Sequence, residues 1–76
     1  MQYLETSEFV LAITLQYHNF ELVRFKNQDS RRIIFCFKET DELKEAVNAF
    51  WRGELRVEPK LFYQNQKMLR SRIHNI

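Results

Sequence analysis

Apolar positions along the chain change their period several times, and each change marks an element. In the segment TSEFVLAITLQYH, residues Phe9, Val10, Leu11, Ala12, Ile13, Leu15 and Tyr17 run nearly all the way round a helix. Thr6 or Ser7 stands where a cap belongs, Glu8 falls in the first turn where the helix dipole favours an anion, and Asn19 is a candidate C′ residue. A helix so uniformly apolar needs cover on more than one side.

The next two segments, FELVRFK and RRIIFCFK, are rich in β-branched and aromatic residues and flank the turn-forming NQDS, which predicts a hairpin from Phe20 to Lys38. The turn has no glycine, so a tight type I′ connection is disfavoured and a loop of about four residues or more is expected. In the second strand Ile33, Phe35 and Phe37 alternate with Ile34 and Cys36, so both faces are apolar and both are expected to be covered, by helices of the same chain or by a partner.

TDELKEAVNAFWRG carries the clearest helix signals: Thr40 as cap, Asp41 and Glu42 in the first turn, an inward stripe of Leu43, Ala46, Val47 and Phe50, and Gly53 at C′. After the extended link ELRV, Pro59 opens a closing helix at its first position, with Glu58 beside the cap. At the helical period, Leu61, Phe62, Met68, Leu69, Ile73 and Ile76 gather within an arc of about 140°, and Lys60, Tyr63, Lys67, Arg70 and His74 within about 80° opposite. Arg72 falls on the apolar side near Leu61 and Met68, from which its stem can carry the charge to the edge or to an acid.

These elements predict an α+β fold: a two-stranded antiparallel hairpin packed with three helices, in the order α-β-β-α-α, as a single domain over residues 1–76. Composition is that of a globular chain, with seven phenylalanines and only one glycine and one proline. A chain of this size buries only about 60% of the surface its unfolded state exposes, so support from another copy is expected. The single cysteine, Cys36, excludes an internal disulfide and lies in an apolar strand, which fits a reducing cytoplasm. No basic, apolar leader is visible at the start, and Phe9 to Leu15 is far too short to span a membrane. Net charge is only +2, but it is uneven: from Pro59 onward there are four basic residues and no acid, so that part carries +4 and the rest −2.

The residues exclude several chemistries. One glycine cannot build a phosphate-cradling loop. His18, Cys36 and His74 fall in separate elements, so no metal-binding or cofactor-binding residue is assigned. A buried strand thiol is a poor nucleophile, and Asp41, Glu42 and Glu45 are the acidic bias of a helix start with no facing carboxylate for acid–base work, so no catalytic residue is assigned and no enzyme is expected. Trp51 borders the inward stripe and either completes the core or, with Tyr63, anchors a contact with another chain.

The succession YLETSEFVLAITL, IIFCFKET, FWRGELRVEP and MLRSRI resembles a family of short prokaryotic and phage-type proteins known only as a domain of unknown function. The marks are Thr6, Ser7 and Glu8 with Leu11 and Ala12; Phe35, Phe37 and Glu39; and Trp51, Gly53 and Val57. The chain departs from the pattern at His18-Asn19, where the family favours glycine. The resemblance implies a compact domain of phage or mobile-element setting and supplies no activity.

The function expected is therefore a small, non-enzymatic protein-interaction module that self-associates as a homo-oligomer. The alternative is nucleic-acid binding by the basic face of the closing helix, through Lys60, Tyr63, Lys67, Arg70 and His74, with Arg31 and Arg32. That strands lack the exposed aromatics of a base-stacking sheet argues against the sheet as the site. A membrane is not an expected partner, because the domain needs the apolar face of that helix for itself.

Overall fold

A computed structural model describes residues 2–27 and 32–74. The elements are β1 (Tyr3–Thr6), α1 (Phe9–Tyr17), β2 (Leu22–Asn27), β3 (Ile33–Lys38), α2 (Asp41–Trp51) and α3 (Pro59–His74). The fold is α+β with three helices as expected, but the sheet has three antiparallel strands in the order β1-β3-β2 rather than two, and the element order is β-α-β-β-α-α. The additional strand lies in YLET, where leucine and threonine alternate with tyrosine and glutamate. Leu4 pairs with Phe37 and Thr6 with Phe35, so β1 turns Leu4 to the core side and Tyr3 and Glu5 to the other.

The strand also resets the start of α1. Thr6 ends β1, and its hydroxyl accepts the N–H of Glu8 at 3.1 Å in a local turn. Glu8 occupies the N-cap without a capping side-chain bond, so neither Thr6 nor Ser7 caps the helix and no acid lies in its first turn. At the other end the expectation for Asn19 holds. Its φ is +71°, its N–H donates to Gln16 O at 2.9 Å, and that of Phe20 donates to Leu15 O at 3.0 Å, which is a Schellman closure.

All three helices lie on one face of the sheet. The core joins Leu11, Ala12, Ile13 and Leu15 of α1 to Leu22, Phe35 and Phe37 of the sheet, with Leu43 of α2 and Leu69 of α3. Leu43 and Leu69 are the only fully buried residues among those described in their helices, so each pins a whole helix. Burial of one such leucine stabilises by about 1.5–3 kcal/mol. The apolarity of α1 is explained by its place between α2, α3 and the sheet, save at Val10, which is exposed. Its one buried polar side chain, Thr14, donates its hydroxyl proton to Val10 O at 2.8 Å.

A bulge in β2 decides which residues join this core. Pairing skips from Leu22 opposite Phe37 to Arg24 opposite Cys36, leaving Val23 as the extra residue. Strict alternation would send Leu22 and Phe25 to opposite faces; with the bulge both face inward and Phe25 lies against Phe35, ring centroids 6.5 Å apart. The connection between β2 and β3 falls on residues 28–32, of which 28–31 lie outside the described residues.

The helix caps of the second half follow the expectation. Thr40 Oγ1 accepts the Leu43 N–H at 3.1 Å, and α2 ends in a second Schellman closure in which Gly53, at φ +72°, donates to Phe50 O and Glu54 donates to Ala49 O. Glu58 caps α3 through its carboxylate, which accepts the Leu61 N–H at 2.7 Å, while its own N–H donates to the Tyr17 hydroxyl at 2.9 Å. That last bond ties the end of α1 to the start of α3.

Candidate functional site

Two surfaces carry side chains that the core leaves unused. The first is the outer side of the helix layer. The buried line of α3 runs through Phe62, Leu69 and Ile73, with Asn65 and Gln66 half-buried beside it. The helix is thus rotated from the orientation its apolar residues alone predict, and Leu61 and Met68, expected inside, are 52% and 65% exposed. The reason is that α3 must offer Leu69 to the pocket beside α1 and the sheet, and a sixteen-residue helix on a small core buries one narrow stripe. Ile76, placed on the same stripe, lies outside the described residues. Arg72 lies on this flank with its guanidinium over the Phe25 ring, 5.5 Å from the centroid, so it shields an aromatic edge rather than meeting an acid there.

Trp51, at the last turn of α2, is 62% exposed and stands edge-on to Phe50 with centroids 5.0 Å apart. Of its two readings, the core reading is therefore corrected: Phe50 packs on the core and Trp51 stands outside it. Tyr63 is also exposed, with Lys67 Nζ over its ring at 5.5 Å. Lys60, Tyr63, Lys67, Arg70 and His74 all lie on the exposed sector of α3, and Arg70 rests over the Phe9 ring at 5.5 Å. Arg32 is exposed just before β3, on the sheet side of the molecule, and Arg31 lies outside the described residues. The structure thus gathers the five α3 residues on one helix face and leaves Arg32 apart from them.

The second surface is the sheet face turned away from the helices. Both faces of the hairpin are expected to be covered, by helices of the same chain or by a partner; no helix of the chain lies on this one, and side chains of its own strands shield its middle. Cys36 is fully buried there, apart from the cluster that the helices pack on. Its thiol donates to Glu5 Oε2 at 3.5 Å, and Lys26 Nζ lies 3.3 Å from the same oxygen. Burial, and then the Glu5 carboxylate, push the Cys36 thiol up from its ordinary value; the thiol first, and then Lys26, hold the Glu5 carboxyl below its own. Across the face Arg24 stacks over the Tyr3 ring, 5.2 Å from its centroid. Long polar side chains from the two edge strands therefore roof the middle one. Tyr3 was missed as a surface residue because its strand was missed; the signal was the alternation in YLET.

A third feature, an open groove along α2, is lined by Glu42, Glu45, Ala46, Ala49, Arg52 and Leu55 among others. Arg52 is bound to Glu54 at 3.0 Å, which raises the guanidinium and lowers the carboxyl. Among the described residues no group of three or more His, Cys, Asp or Glu could hold a metal ion, and no helix is long and apolar enough to cross a membrane. His18 Nε2 is buried without a hydrogen-bond partner among them, its ring edge-on to Tyr17 at 5.0 Å.

No curated protein and no solved structure matches the chain. A family model does, and its match extends from residue 1 to residue 75. The chain therefore belongs to the family described as domain of unknown function DUF5659.

Proposed function

We propose that the protein is a non-enzymatic interaction module that self-associates through the helix layer. The observation that supports this most directly is the exposed apolar flank of α3, where Leu61 and Met68, seven residues apart, share one side of the helix. Trp51 at the end of α2 is a further large apolar side chain left outside the core. The surface as a whole agrees: the chain exposes 5634 Å², where a compact monomer of its mass exposes about 5,000 Å². A standard interface covers about 800 Å² on each partner, so one contact with a second copy would cover more than the excess.

The alternative, nucleic acid on the basic side of α3, has the exposure of Lys60, Tyr63, Lys67, Arg70 and His74 in its favour. Cations belong on any solvated helix face, whereas Leu61 and Met68 stand together on one flank as an apolar patch rather than as scattered single residues. A phage or mobile-element setting, which the family resemblance implies, suits a small module that works by contact alone.

Sedimentation at micromolar concentration tests the reading. The unaltered chain should run heavier than 9.4 kDa, and Leu61→Glu with Met68→Glu should return it to the monomer while leaving the far-ultraviolet circular dichroism unchanged. A monomer in the unaltered chain, or an oligomer that ignores both substitutions, overturns it.

A further inference from the structure

We propose that the sheet face turned away from the helices binds single-stranded nucleic acid. This inference rests on a different surface from the self-association and does not depend on it.

Residues of one parity on the strands point to this face: Tyr3 and Glu5 on β1, Ile34, Cys36 and Lys38 on β3, and, beyond the bulge, Arg24 and Lys26 on β2. Arg32, exposed just before β3, continues the alternation of Ile34 and Cys36. Glu5 is the one carboxylate among the described strand residues of the face, and Lys26 already neutralises it at 3.3 Å. Arg24 and Lys38 therefore leave the face positive among the described strand residues.

The shape suits an extended strand better than a folded partner. Neighbouring strands lie about 4.8 Å apart, so Arg24 on β2, Lys38 on the middle strand and the Tyr3 ring on β1 span a band of roughly 10 Å. When Arg24 swings from the Tyr3 ring to a phosphate, beside Lys38, it leaves that ring, 39% exposed, as the platform for a base, the one aromatic that β1 adds to a hairpin face without any. A second copy is the poorer occupant, because packing two such faces together would press Arg24, Lys26 and Lys38 against their own images. The basic side of α3 is on the other side of a slab whose shortest extent is 18 Å, so the two surfaces can be probed separately.

Fluorescence anisotropy with a labelled oligothymidylate in about 50 mM salt tests the proposal, with few phosphate contacts giving a shallow salt dependence. Arg24→Gln with Lys38→Gln should weaken binding about tenfold, and Tyr3→Leu about fivefold. Lys60→Gln with Lys67→Gln should change it less than twofold, on the order of a remote charge effect. Lys38→Glu alone serves if the paired variant does not fold, since Lys38 is exposed at the end of its strand. Absence of binding, loss that follows the α3 pair instead of the sheet pair, or equal affinity for heparin with indifference to Tyr3→Leu each overturns it, the last by showing attraction to any polyanion.

Discussion

Asn19 and Gly53 end two helices with the same backbone closure at nearly the same φ, +71° and +72°. Only the second is a glycine, and a Cβ built on it meets nothing within 4 Å. The requirement for glycine there is therefore conformational and not steric. Gly53→Ala should destabilise by about 1 kcal/mol, the strain of an L-residue in the left-handed region, which in a chain this short lowers the melting temperature by about 4–8 °C. Gly53→Asn should recover part of that loss, because Asn19 already occupies the same conformation. Denaturant melts of the two variants check this, and an alanine variant as stable as the parent would mean that the left-handed conformation at Gly53 carries no such strain cost. These two positions were readable in the sequence, since left-handed caps draw on few residue types. Leu61, Met68 and Trp51 were not readable in the same way: hydropathy says that a side chain prefers burial, and only the rotation of a docked helix says which ones obtain it.

At the scale of elements, α2 was the best predicted because Thr40, Asp41, Glu42 and Gly53 are local signals that tertiary packing leaves intact. β1 was lost because four residues of alternation are too few to stand out beside a cap signal, and Thr6 fitted both readings. Its restoration changes the chemistry of β3, because it brings Glu5 over Cys36. The thiol's raised value means that the stability it contributes is complete below the ordinary thiol range and is lost as pH rises above it, the unfolded thiol ionising first. The lowered Glu5 carboxyl acts in the opposite sense, its contribution being present above the ordinary carboxylate range and lost as pH falls. Melting temperature followed against pH should accordingly lose part of its alkaline decline in Cys36→Ala and part of its acid decline in Glu5→Gln. In the native protein a thiol reagent should label Cys36 more than about tenfold slower than in the urea-unfolded chain, and Glu5→Ala should speed native labelling. Native labelling as fast as the unfolded rate would show that the roof over Cys36 does not exist.

The whole molecule is a slab of 33 × 31 × 18 Å, one layer of helices on one sheet. Its fold class was legible because the periods of the segments are distinct, and its layering was not, because an apolar outer position such as Cys36 reads like a core position until neighbouring strands are known. The same sheet order sets a sequence of events. β3 is the middle strand, and its two neighbours are an adjacent hairpin arm and a strand that precedes it by the whole of α1 and β2. A ribosome therefore releases β1 before its only partner has been made, and β1 must wait, unpaired, while α1 forms and the hairpin closes. Loop closure favours the hairpin further, since its arms are separated by five residues of sequence. In pulsed hydrogen exchange during refolding, amides shared by β2 and β3 should gain protection before those shared by β1 and β3, and the reverse order would contradict this. Until the last strand arrives, Cys36 and one edge of β3 stand open, which makes the final step of maturation also the one at which a waiting chain is most exposed to capture by another.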